Sequence, residues 1–433
     1  MNDHPVAVVG ASLAGLAVAA RLAKQGHRVV LFEASEVLGG RWARPGALPP
    51  VFTLPAPWRD LFRKSGRAFD VELARTGHAL VPAPPAVHRF DDGTSLVLPT
   101  DRGEQWTALS AAWGSPAAIR WRDLLDLLDE RWQVLRRLGL EDEFLDSDLT
   151  SRRRVALGLT RTVEHLARGI GHPQAAALLR STARRSGSDP ARTPGFVAVR
   201  LALERTFGRW QLTRDERPVP ASDLLELLTA RLELRRVEVR AGEPVTALRS
   251  GVVVTASGQL VVSAIVSAVN PWEHLRLVTP GERTLRRRTS WTRPAVAPQI
   301  AVSAQQRVGF TTDYGVETNS LSSTGADARV DETVEHTRSG VRVRYRLPDQ
   351  EIVHDFSSGS PSPGFGTRWT SSRTWLRMPP LRAETARVFT ASASSRGGND
   401  PWAQLLSGAL AGYVVHETLT GADIRPTNKA AKP

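Results

Sequence analysis

The sequence predicts an α/β fold in which a parallel sheet with flanking helices and a β-meander is interleaved with a second, α+β domain. The apolar run Val6–Val9, which Gly10 ends, has the composition of a buried parallel strand. Strong helix formers follow from Leu13 to Lys24, and Gly26 ends them. A second apolar run, Arg28–Phe32, completes strand, helix and strand within about 30 residues, the size of a βαβ unit.

Length and composition indicate a globular protein of two domains. The 433 residues exceed one ordinary core, and 41% hydrophobic with 23% charged residues is the globular range. The absence of cysteine excludes disulfides, zinc–thiolate sites, iron–sulfur clusters and thiol nucleophiles. Redox chemistry in this chain therefore requires a cofactor.

The charge is strongly basic, with 57 Lys and Arg against 44 Asp and Glu and a net charge of +13. Much of the excess lies between Thr150 and Arg240, for example in Arg152–Arg154 and at Arg184 and Arg185. A solvated Arg-rich face is the favoured interpretation, and attraction to an anionic membrane is the alternative. No recognised nucleic-acid module accompanies the charge, so a nucleic-acid partner is not expected.

The N-terminus predicts a cytoplasmic protein. Residues Met1–Pro5 carry no basic segment of a signal peptide. The apolar stretch from Val6 to Ala23 is interrupted by glycines, by Ser12 and by Arg21, so it is not expected to span a membrane.

Further elements follow from periodicity and turn signals. Apolar residues at helical spacing predict a helix over Asp123–Leu138. A second helix is predicted over Leu224–Leu234, with Asp223 and Glu226 as a capping box. Residues Gly251–Val269 have the pattern of a hairpin whose strands rejoin the first sheet.

The C-terminal half is predicted to end in one well-defined helix. Asp313–Phe365 is rich in Ser, Thr, Gly and Asp, which favours exposed strands and loops over core. The last helix is predicted to begin at Pro401, with Asn399 or Asp400 as its cap. The chain after Thr420 is predicted to fray.

The turn after the first strand has the pattern of a dinucleotide site. Gly10-Ala11-Ser12-Leu13-Ala14-Gly15 lies where backbone N–H groups and the positive end of a helix meet a pyrophosphate. Gly10 suits the tight turn, and Gly15 allows close packing of helix and strand. Ser12 departs from the usual middle glycine and adds a hydroxyl that can donate to a phosphate.

Two further features support an adenine dinucleotide. Glu33 ends the second strand, 23 positions after Gly10, where an acid accepts hydrogen bonds from the ribose hydroxyls and disfavours a 2′-phosphate. Gly39-Gly40-Arg41 then supplies a flexible turn and a guanidinium for a second grip on the pyrophosphate.

These motifs resemble the FAD-dependent amine oxidase and phytoene desaturase superfamily, especially its bacterial phytoene-dehydrogenase-like branch. Glu33-Ala34-Ser35-Glu36-Val37-Leu38-Gly39-Gly40-Arg41 is similar to the superfamily's strand-ending acid and Gly-Gly-Arg signature. Phe52–Pro55, Leu61–Gly66 and His88–Gly93 are similar to the desaturase branch. The resemblance implies FAD as cofactor, a Rossmann-like FAD-binding domain and an oxidoreductase.

The resemblance also implies contacts near the C-terminus. Val245 resembles the valine whose backbone contacts adenine, and residues 399–402 resemble the start of a closing helix that points at the flavin. Ser392 stands where the family usually has glycine, and Arg209–Leu212 lacks the usual glycine pair. The predicted cofactor-binding residues are Gly10, Ser12, Leu13, Ala14, Gly15, Glu33, Ala34, Gly39, Gly40, Arg41, Val245, Asn399, Asp400, Pro401 and Trp402.

The domains are expected to be discontinuous. Residues 1–75, 195–272 and 385–425 are predicted to form the FAD-binding domain, 76–194 and 273–384 the substrate-binding domain, and 426–433 a flexible tail.

The predicted activity is desaturation or isomerisation of a hydrophobic, polyene or isoprenoid-like small molecule by hydride transfer to flavin. Flavin amine oxidation and a degenerate, non-catalytic flavin-binding protein remain alternatives. Ten histidines are spread along the chain, and no catalytic residue or metal ligand is assigned. Five tryptophans either line an apolar tunnel or, as favoured, pack in the core: Trp58, Trp106, Trp113, Trp121 and Trp132.

Overall fold

The N-terminal strand–helix–strand unit forms as predicted. The computed structural model describes residues 4–279, 290, 292–304, 329–357 and 363–426. Strand Val6–Val9 pairs in parallel with strand Val29–Phe32, and helix Leu13–Lys24 connects them. All eight strand residues are buried because both faces of this sheet are covered.

The strands within the described residues are named in chain order. They are β1 (Val6–Val9), β2 (Val29–Phe32), β3 (Val51–Thr53), β4 (His78–Pro82), β5 (Ala86–Arg89), β6 (Ser95–Leu98), β7 (Arg209–Arg214), β8 (Arg217–Pro218), β9 (Glu238–Arg240), β10 (Val245–Arg249), β11 (Val252–Thr255), β12 (Gly258–Val261), β13 (Ala264–Ser267), β14 (Pro294–Val296), β15 (Gln299–Ala304), β16 (Asp331–His336), β17 (Val341–Arg346), β18 (Gln350–Asp355), β19 (Pro363–Thr367) and β20 (Val388–Thr390).

The helices are named in the same way. They are α1 (Leu13–Lys24), α2 (Ala56–Ser65), α3 (Phe69–Arg75), α4 (Arg102–Trp113), α5 (Ser115–Arg137), α6 (Ser151–Ala156), α7 (Val163–Gly169), α8 (Pro173–Arg184), α9 (Val199–Phe207), α10 (Asp223–Leu234), α11 (Pro271–Val278), α12 (Ser372–Leu376) and α13 (Pro401–Thr420), with short 3₁₀ turns at Gly40–Ala43, Asp146–Asp148 and Gly195–Ala198.

A parallel sheet organises the first part of the fold. Its strand order is β20-β13-β1-β2-β9, so segments distant in sequence meet on both sides of β1. The predicted hairpin forms as β11 and β12, but it joins β10 in a separate antiparallel meander. Only β13 of that region enters the parallel sheet, beside β1.

The C-terminal helix packs directly on α1. A Cβ placed on Gly408 of α13 would lie 2.5 Å from the carbonyl oxygen of Ala14, so the two helix backbones are in contact there. Every residue of α1 from Leu13 to Leu22 is buried. The helix is therefore enclosed by the sheet and by α13, as the interior helix of an α/β fold.

The prediction of exposed strands and loops between Asp313 and Phe365 is confirmed for the strands and wrong for their exposure in the described residues 331–355. Strands β16, β17 and β18 join β15, β5 and β6 in a six-stranded sheet. Alternate residues of these strands, including Val334, Val343 and Ile352, are buried in a common apolar cluster. Period-two alternation outweighed the polar composition, because only one face of each strand enters the core. Residues 313–328 and 358–362 of this prediction lie outside the described part of the chain.

Two helix predictions need correction. Helix α5 begins at Ser115, eight residues before the predicted start at Asp123. The capping box at Asp223 does not form, because the N-cap is Ser222 and makes no side-chain cap bond. The Asp223 carboxylate instead pairs with Arg214 at 3.0 Å and with His78 at 3.1 Å.

The two sheets divide between the predicted segments. All five strands of the parallel sheet come from residues predicted for the FAD-binding domain, and all six strands of the large mixed sheet, in which β16 and β5 pair in parallel, come from residues predicted for the substrate domain. The domain boundaries themselves stay a prediction, and residues 427–433 of the predicted tail lie outside the described residues.

In the described part of the chain, no helix combines the length and apolarity needed to cross a bilayer.

Replacing Gly408 with alanine is expected to destabilise the protein by about 1–3 kcal/mol, because the new methyl group overlaps the Ala14 backbone. The matched control is Gly412→Ala, one turn later in α13, where the nearest atom to the new Cβ is a Val18 methyl at 3.5 Å. Urea unfolding measured by circular dichroism compares the two variants. Equal transition midpoints would contradict the close packing of α1 and α13.

Candidate functional site

The glycine turn has the backbone that the sequence motif requires. Gly10 adopts φ +96°, a conformation that favours glycine. A Cβ on Gly15 would lie 2.0 Å from the Gly10 carbonyl oxygen, so α1 begins against the turn itself. Ser12 is the N-cap of α1, and its Oγ accepts from the Gly15 N–H at 3.4 Å and donates to the Ala268 carbonyl at 2.6 Å. The serine that departs from the motif therefore ties the turn to the end of β13.

Glu33 lies directly against this turn. Its Oε2 accepts from the Ala11 N–H at 2.7 Å, and its Oε1 accepts from the Ser35 N–H at 3.0 Å. Ala34 is exposed beside it. The Gly39 N–H donates to the Ala11 carbonyl at 2.8 Å, which brings the Gly-Gly pair to the same turn. The structure thus brings together the three motifs that the sequence analysis singled out.

Arg41 reaches the start of the last helix. Its Nη2 donates to the Asn399 carbonyl at 2.6 Å, and its guanidinium lies 4.6 Å from the centre of the Trp42 ring. Burial lowers the pKa of Arg41 to about 10, an effect that the charge of Asp400 partly offsets. Arg41 therefore links the Gly-Gly segment to the residues that precede α13.

The start of α13 is held by contacts other than a side-chain cap. Asp400 occupies the N-cap position without a side-chain cap bond, and its Oδ1 accepts from Arg200 Nη1 at 2.8 Å. The Asn399 side chain bonds both backbone groups of Thr367. Pro401 is the first helical residue, and Trp402 is buried. Because Gly408 contacts Ala14, Asp400 lies about 12 Å further along the helix axis.

Two other predicted positions have recognisable environments. Val245 is buried in one apolar cluster with Val9 and Phe32, and the Glu243 N–H donates to the Glu33 carbonyl at 2.9 Å. Ser392 has φ +59°, the left-handed backbone that usually favours glycine, and its N–H donates to Ser407 Oγ at 3.0 Å. Ser392 therefore has the backbone conformation expected of a glycine at this position.

The residues around the turn fit an adenine dinucleotide. The first N–H groups of α1, those of Leu13 and Ala14, have no acceptor within the helix and stand at its positive end. Glu33 places an anionic acceptor next to them. Gly40 is exposed and lies close to Ser12: a Cβ placed on Gly40 would be 3.5 Å from the Ser12 Cα, an ordinary van der Waals contact. These groups supply donors for phosphates and an acceptor for a ribose. Their assignment as cofactor ligands stays a prediction.

A cavity opens beside the start of α13. Its walls combine aromatic rings with polar and charged side chains. The aromatic residues are Trp42, Phe196, Phe356, Trp369 and Trp402, and the polar and charged residues include Arg185, Arg200, Tyr345, His354, Asn399 and Asp400. Of these, the sequence analysis had assigned a function only to Asn399, Asp400 and Trp402.

A chain of ion pairs supports the charged side of this cavity. Arg200 pairs with Asp400 at 2.8 Å and with Glu204 at 3.1 Å. Arg209 pairs with Glu332 at 2.7 Å and approaches Glu204 at 4.0 Å. The i,i+4 spacing of Arg200 and Glu204 was a signal available in the sequence. The pairing with Glu332, more than 120 residues away, was not.

Two ionisable groups of the cavity are neutral near pH 7. Burial lowers the pKa of His354 to about 4, although its hydrogen bond to the Gly46 carbonyl opposes the shift. Since a carbonyl only accepts, Nε2 carries the proton and Nδ1 is the acceptor. Burial, helped by the nearby Glu332 charge, raises the pKa of Tyr345 well above its usual value.

Most of the tryptophans predicted as core or tunnel residues are core. Trp58, Trp121 and Trp132 are buried in apolar clusters, and none of them lines the cavity beside α13. Trp113 packs against the second cluster, whereas Trp106 is 39% exposed at the surface.

The comparisons with known proteins agree with this architecture. A family model described as an NAD(P)-binding Rossmann-like domain matches residues 8–71. The chain is 27% identical over 219 residues to a 4,4'-diapophytoene desaturase (4,4'-diaponeurosporene-forming) of Staphylococcus aureus strain Newman, covering 47% of this chain and 42% of the relative. The chain thus matches less than half the length of that relative.

Solved structures match over nearly the whole chain. Cyclohexylamine oxidase from Brevibacterium oxydans aligns with TM-score 0.62 at 13% identity, covering 96% of this chain and 100% of the oxidase. An oxidoreductase from Methanosarcina mazei aligns with TM-score 0.61 at 11% identity, covering 94% and 99%. At these identities the likeness shows the fold. The predicted fold class is confirmed, and the matches fit the superfamily that the sequence resembles, whose members bind FAD.

The low pKa of His354 predicts a loss of stability in mild acid. The folded protein binds a proton at this site less readily than the unfolded chain, so the stabilisation is complete above about pH 6.5 and is lost as the pH falls towards 4. At pH 5 the loss from this residue is about 2 kcal/mol. His354→Gln keeps the N–H donor to Gly46 and removes the titration, so its unfolding midpoint is expected to fall less between pH 7.5 and 5.

The control for this experiment is His165→Gln, which changes an exposed histidine. Urea unfolding across the pH series is expected to give the wild-type profile for this variant. A His354→Gln profile parallel to that of the wild type would show that His354 is not held neutral by the fold.

Proposed function

We propose that this chain, which fits the FAD-dependent amine oxidase and phytoene desaturase superfamily, binds FAD and oxidises an organic substrate by removing a hydride from carbon. The observation that carries the proposal is the contact between Glu33 and the Ala11 N–H, because a carboxylate beside a glycine turn supports the pairing of a ribose acceptor with a pyrophosphate site. The partial match to a desaturase supports the same reaction class, and the likeness to an oxidase supports the fold that such a reaction requires.

The residues of the chain divide into a binding set and a cavity set. The N–H groups of Leu13 and Ala14 would hold the pyrophosphate, and Glu33 would accept from the ribose hydroxyls. The start of α13 would stabilise negative charge on the cofactor through the helix dipole. FAD, when bound, supplies the acceptor for the hydride. The cavity residues orient the substrate and exclude water.

Desaturation of a carbon chain is favoured over amine oxidation. The aromatic walls formed by Trp42, Phe196, Trp369 and Trp402 suit an apolar body. Asp400 and Glu204 compensate Arg200, whereas Arg185 adds a positive charge to the same cavity that repels an ammonium group. A hydrophobic substrate of polyene or isoprenoid type is consistent with these walls and with the curated desaturase that the chain matches in part.

Glu33→Gln is expected to weaken FAD binding about tenfold, because a neutral amide replaces the charged acceptor at the ribose. Glu36→Gln, an exposed glutamate in the same loop, is the matched control and is expected to bind as the wild type does. Flavin retained after gel filtration, followed by titration of apoprotein with FAD, measures both. Failure of the wild-type protein to bind FAD would refute the proposal, and equal affinities of the two variants would refute the role of Glu33.

Anaerobic reduction of the bound flavin tests the substrate class. Bleaching of the flavin absorbance by a polyene precursor, and not by primary amines, is the expected outcome. Bleaching by amines alone would identify an amine oxidase. A flavin that no member of either class reduces would favour the non-catalytic alternative.

We further propose that helix α6 contacts anionic lipid, which would give access to a substrate dissolved in a membrane. Arg152, Arg153 and Arg154 are exposed on this short helix, and Leu145 and Val155 expose apolar side chains nearby, at 55% and 62%. Each basic residue at an anionic surface contributes about 1 kcal/mol. The exposure of these arginines also fits the solvated Arg-rich face that the sequence analysis favoured. The lipid contact is therefore tested separately.

Replacing all three arginines with glutamine is expected to abolish flotation with vesicles containing anionic lipid at low salt. Replacing Arg67, Arg192 and Arg236 with glutamine removes the same charge from exposed positions elsewhere and serves as the control. Wild-type protein that does not float with anionic vesicles would refute the lipid contact.

A further inference from the structure

The cavity beside α13 contains one arginine that is held more loosely than its neighbours. The Arg185 Nη2 donates to the Tyr345 hydroxyl at 3.3 Å, and it lies 3.5 Å from Glu332 Oε1. Both distances exceed the usual 2.7–2.9 Å of a charge-assisted hydrogen bond. Arg209, on the other side of Glu332, is bound at 2.7 Å to Oε2. Glu332 therefore pairs more closely with Arg209 than with Arg185.

The Glu332 carboxylate also indicates that Arg185 is bound less closely than Arg209. Its Oε1, the atom nearest Arg185, is buried and has no hydrogen-bond partner among the described residues. A carboxylate oxygen fully engaged with Arg185 would not be left in that state. The Arg185 guanidinium therefore retains hydrogen-bonding capacity, and it lines the cavity with 12% of its side chain exposed.

The charges around the cavity do not balance. Seven ionised side chains lie on its wall or directly behind it, four positive and three negative. The positive ones are Arg41, Arg185, Arg200 and Arg209, and the negative ones are Glu204, Glu332 and Asp400. Tyr345 and His354 add no charge near pH 7, since burial raises the pKa of the first and lowers that of the second. One positive charge is left in excess.

We propose that this cavity binds an organic carboxylate, with its carboxylate group on Arg185 and its apolar body against the rings of Trp42, Phe196 and Trp369. The assignment rests on the proposed function, because it adds a carboxylate group to the hydrophobic substrate on which the flavin would act. A guanidinium with free donors at the edge of an aromatic-walled cavity has the geometry and charge that a carboxylate requires. The same arrangement disfavours an ammonium group.

Three probe molecules of similar shape distinguish the effect of charge on binding from the effect of shape. Phenylacetate carries the carboxylate, phenylacetamide is its neutral isostere, and phenethylamine carries the opposite charge on a similar body. Isothermal titration calorimetry on the purified flavoprotein is expected to give at least tenfold tighter binding of phenylacetate than of phenylacetamide. Phenethylamine is expected to bind more weakly than either.

Arg185→Gln is expected to weaken phenylacetate binding about tenfold to a hundredfold and to leave phenylacetamide binding unchanged. Arg185→Lys keeps the charge and is expected to retain part of the preference. Arg192→Gln removes an exposed charge a few residues away and is the matched control. Should Arg185→Gln fail to fold, the lysine variant and the wild-type preference for carboxylate over amide decide the question.

Equal affinity for phenylacetate and phenylacetamide, absence of binding by both, or tighter binding of phenethylamine would overturn the proposal. An Arg185→Gln variant that keeps the full preference would overturn the role of Arg185. Flavin content, measured by absorbance on the same samples, separates the two proposals. Carboxylate preference without flavin refutes the proposed function alone, and flavin without carboxylate preference refutes this inference alone.

Discussion

The close packing of α1 between the parallel sheet and α13 is the constraint on which the rest of the structure depends. Gly15 brings the start of α1 against the carbonyl of Gly10, and Gly408 lets the last helix touch Ala14. A larger residue at either point would separate layers that share one core. This packing joins the N-terminal βαβ unit to the last helix, so it fixes the glycine turn relative to the start of α13.

The buried charges show a second constraint, because each charge removed from water must be compensated. Arg200 and Arg209 are compensated by Asp400, Glu204 and Glu332 at distances of 4.0 Å or less. The network joins α9 and β7 to β16 and to the N-cap of α13. It therefore fixes the start of α13 relative to the six-stranded sheet, and at the wall of the cavity it leaves Arg185 less closely paired than Arg200 and Arg209.

The sequence predicted best those parts whose information is local. Strand β1, helix α1 and the Glu33 contact follow from short-range patterns, since a βαβ unit is specified within about 30 residues. The buried sheet that includes β16–β18 was missed, because its polar residues hid the alternation of Val334 and Ile352. The pairing of Arg209 with Glu332 depends on two distant segments meeting, and no local pattern encodes such a contact.

The cavity's excess of positive charge is insensitive to pH, and this follows from the kinds of residue that form it. Guanidinium groups stay charged throughout the physiological range. Burial alone would raise the pKa of Glu332, but Arg209, Arg185 and Arg200 outweigh that effect and hold the pKa below its usual value. His354, with a pKa of about 4, gains its proton only in acid. A substrate's charge would therefore be selected by fixed groups, and any pH dependence of binding near neutrality would come from the substrate itself.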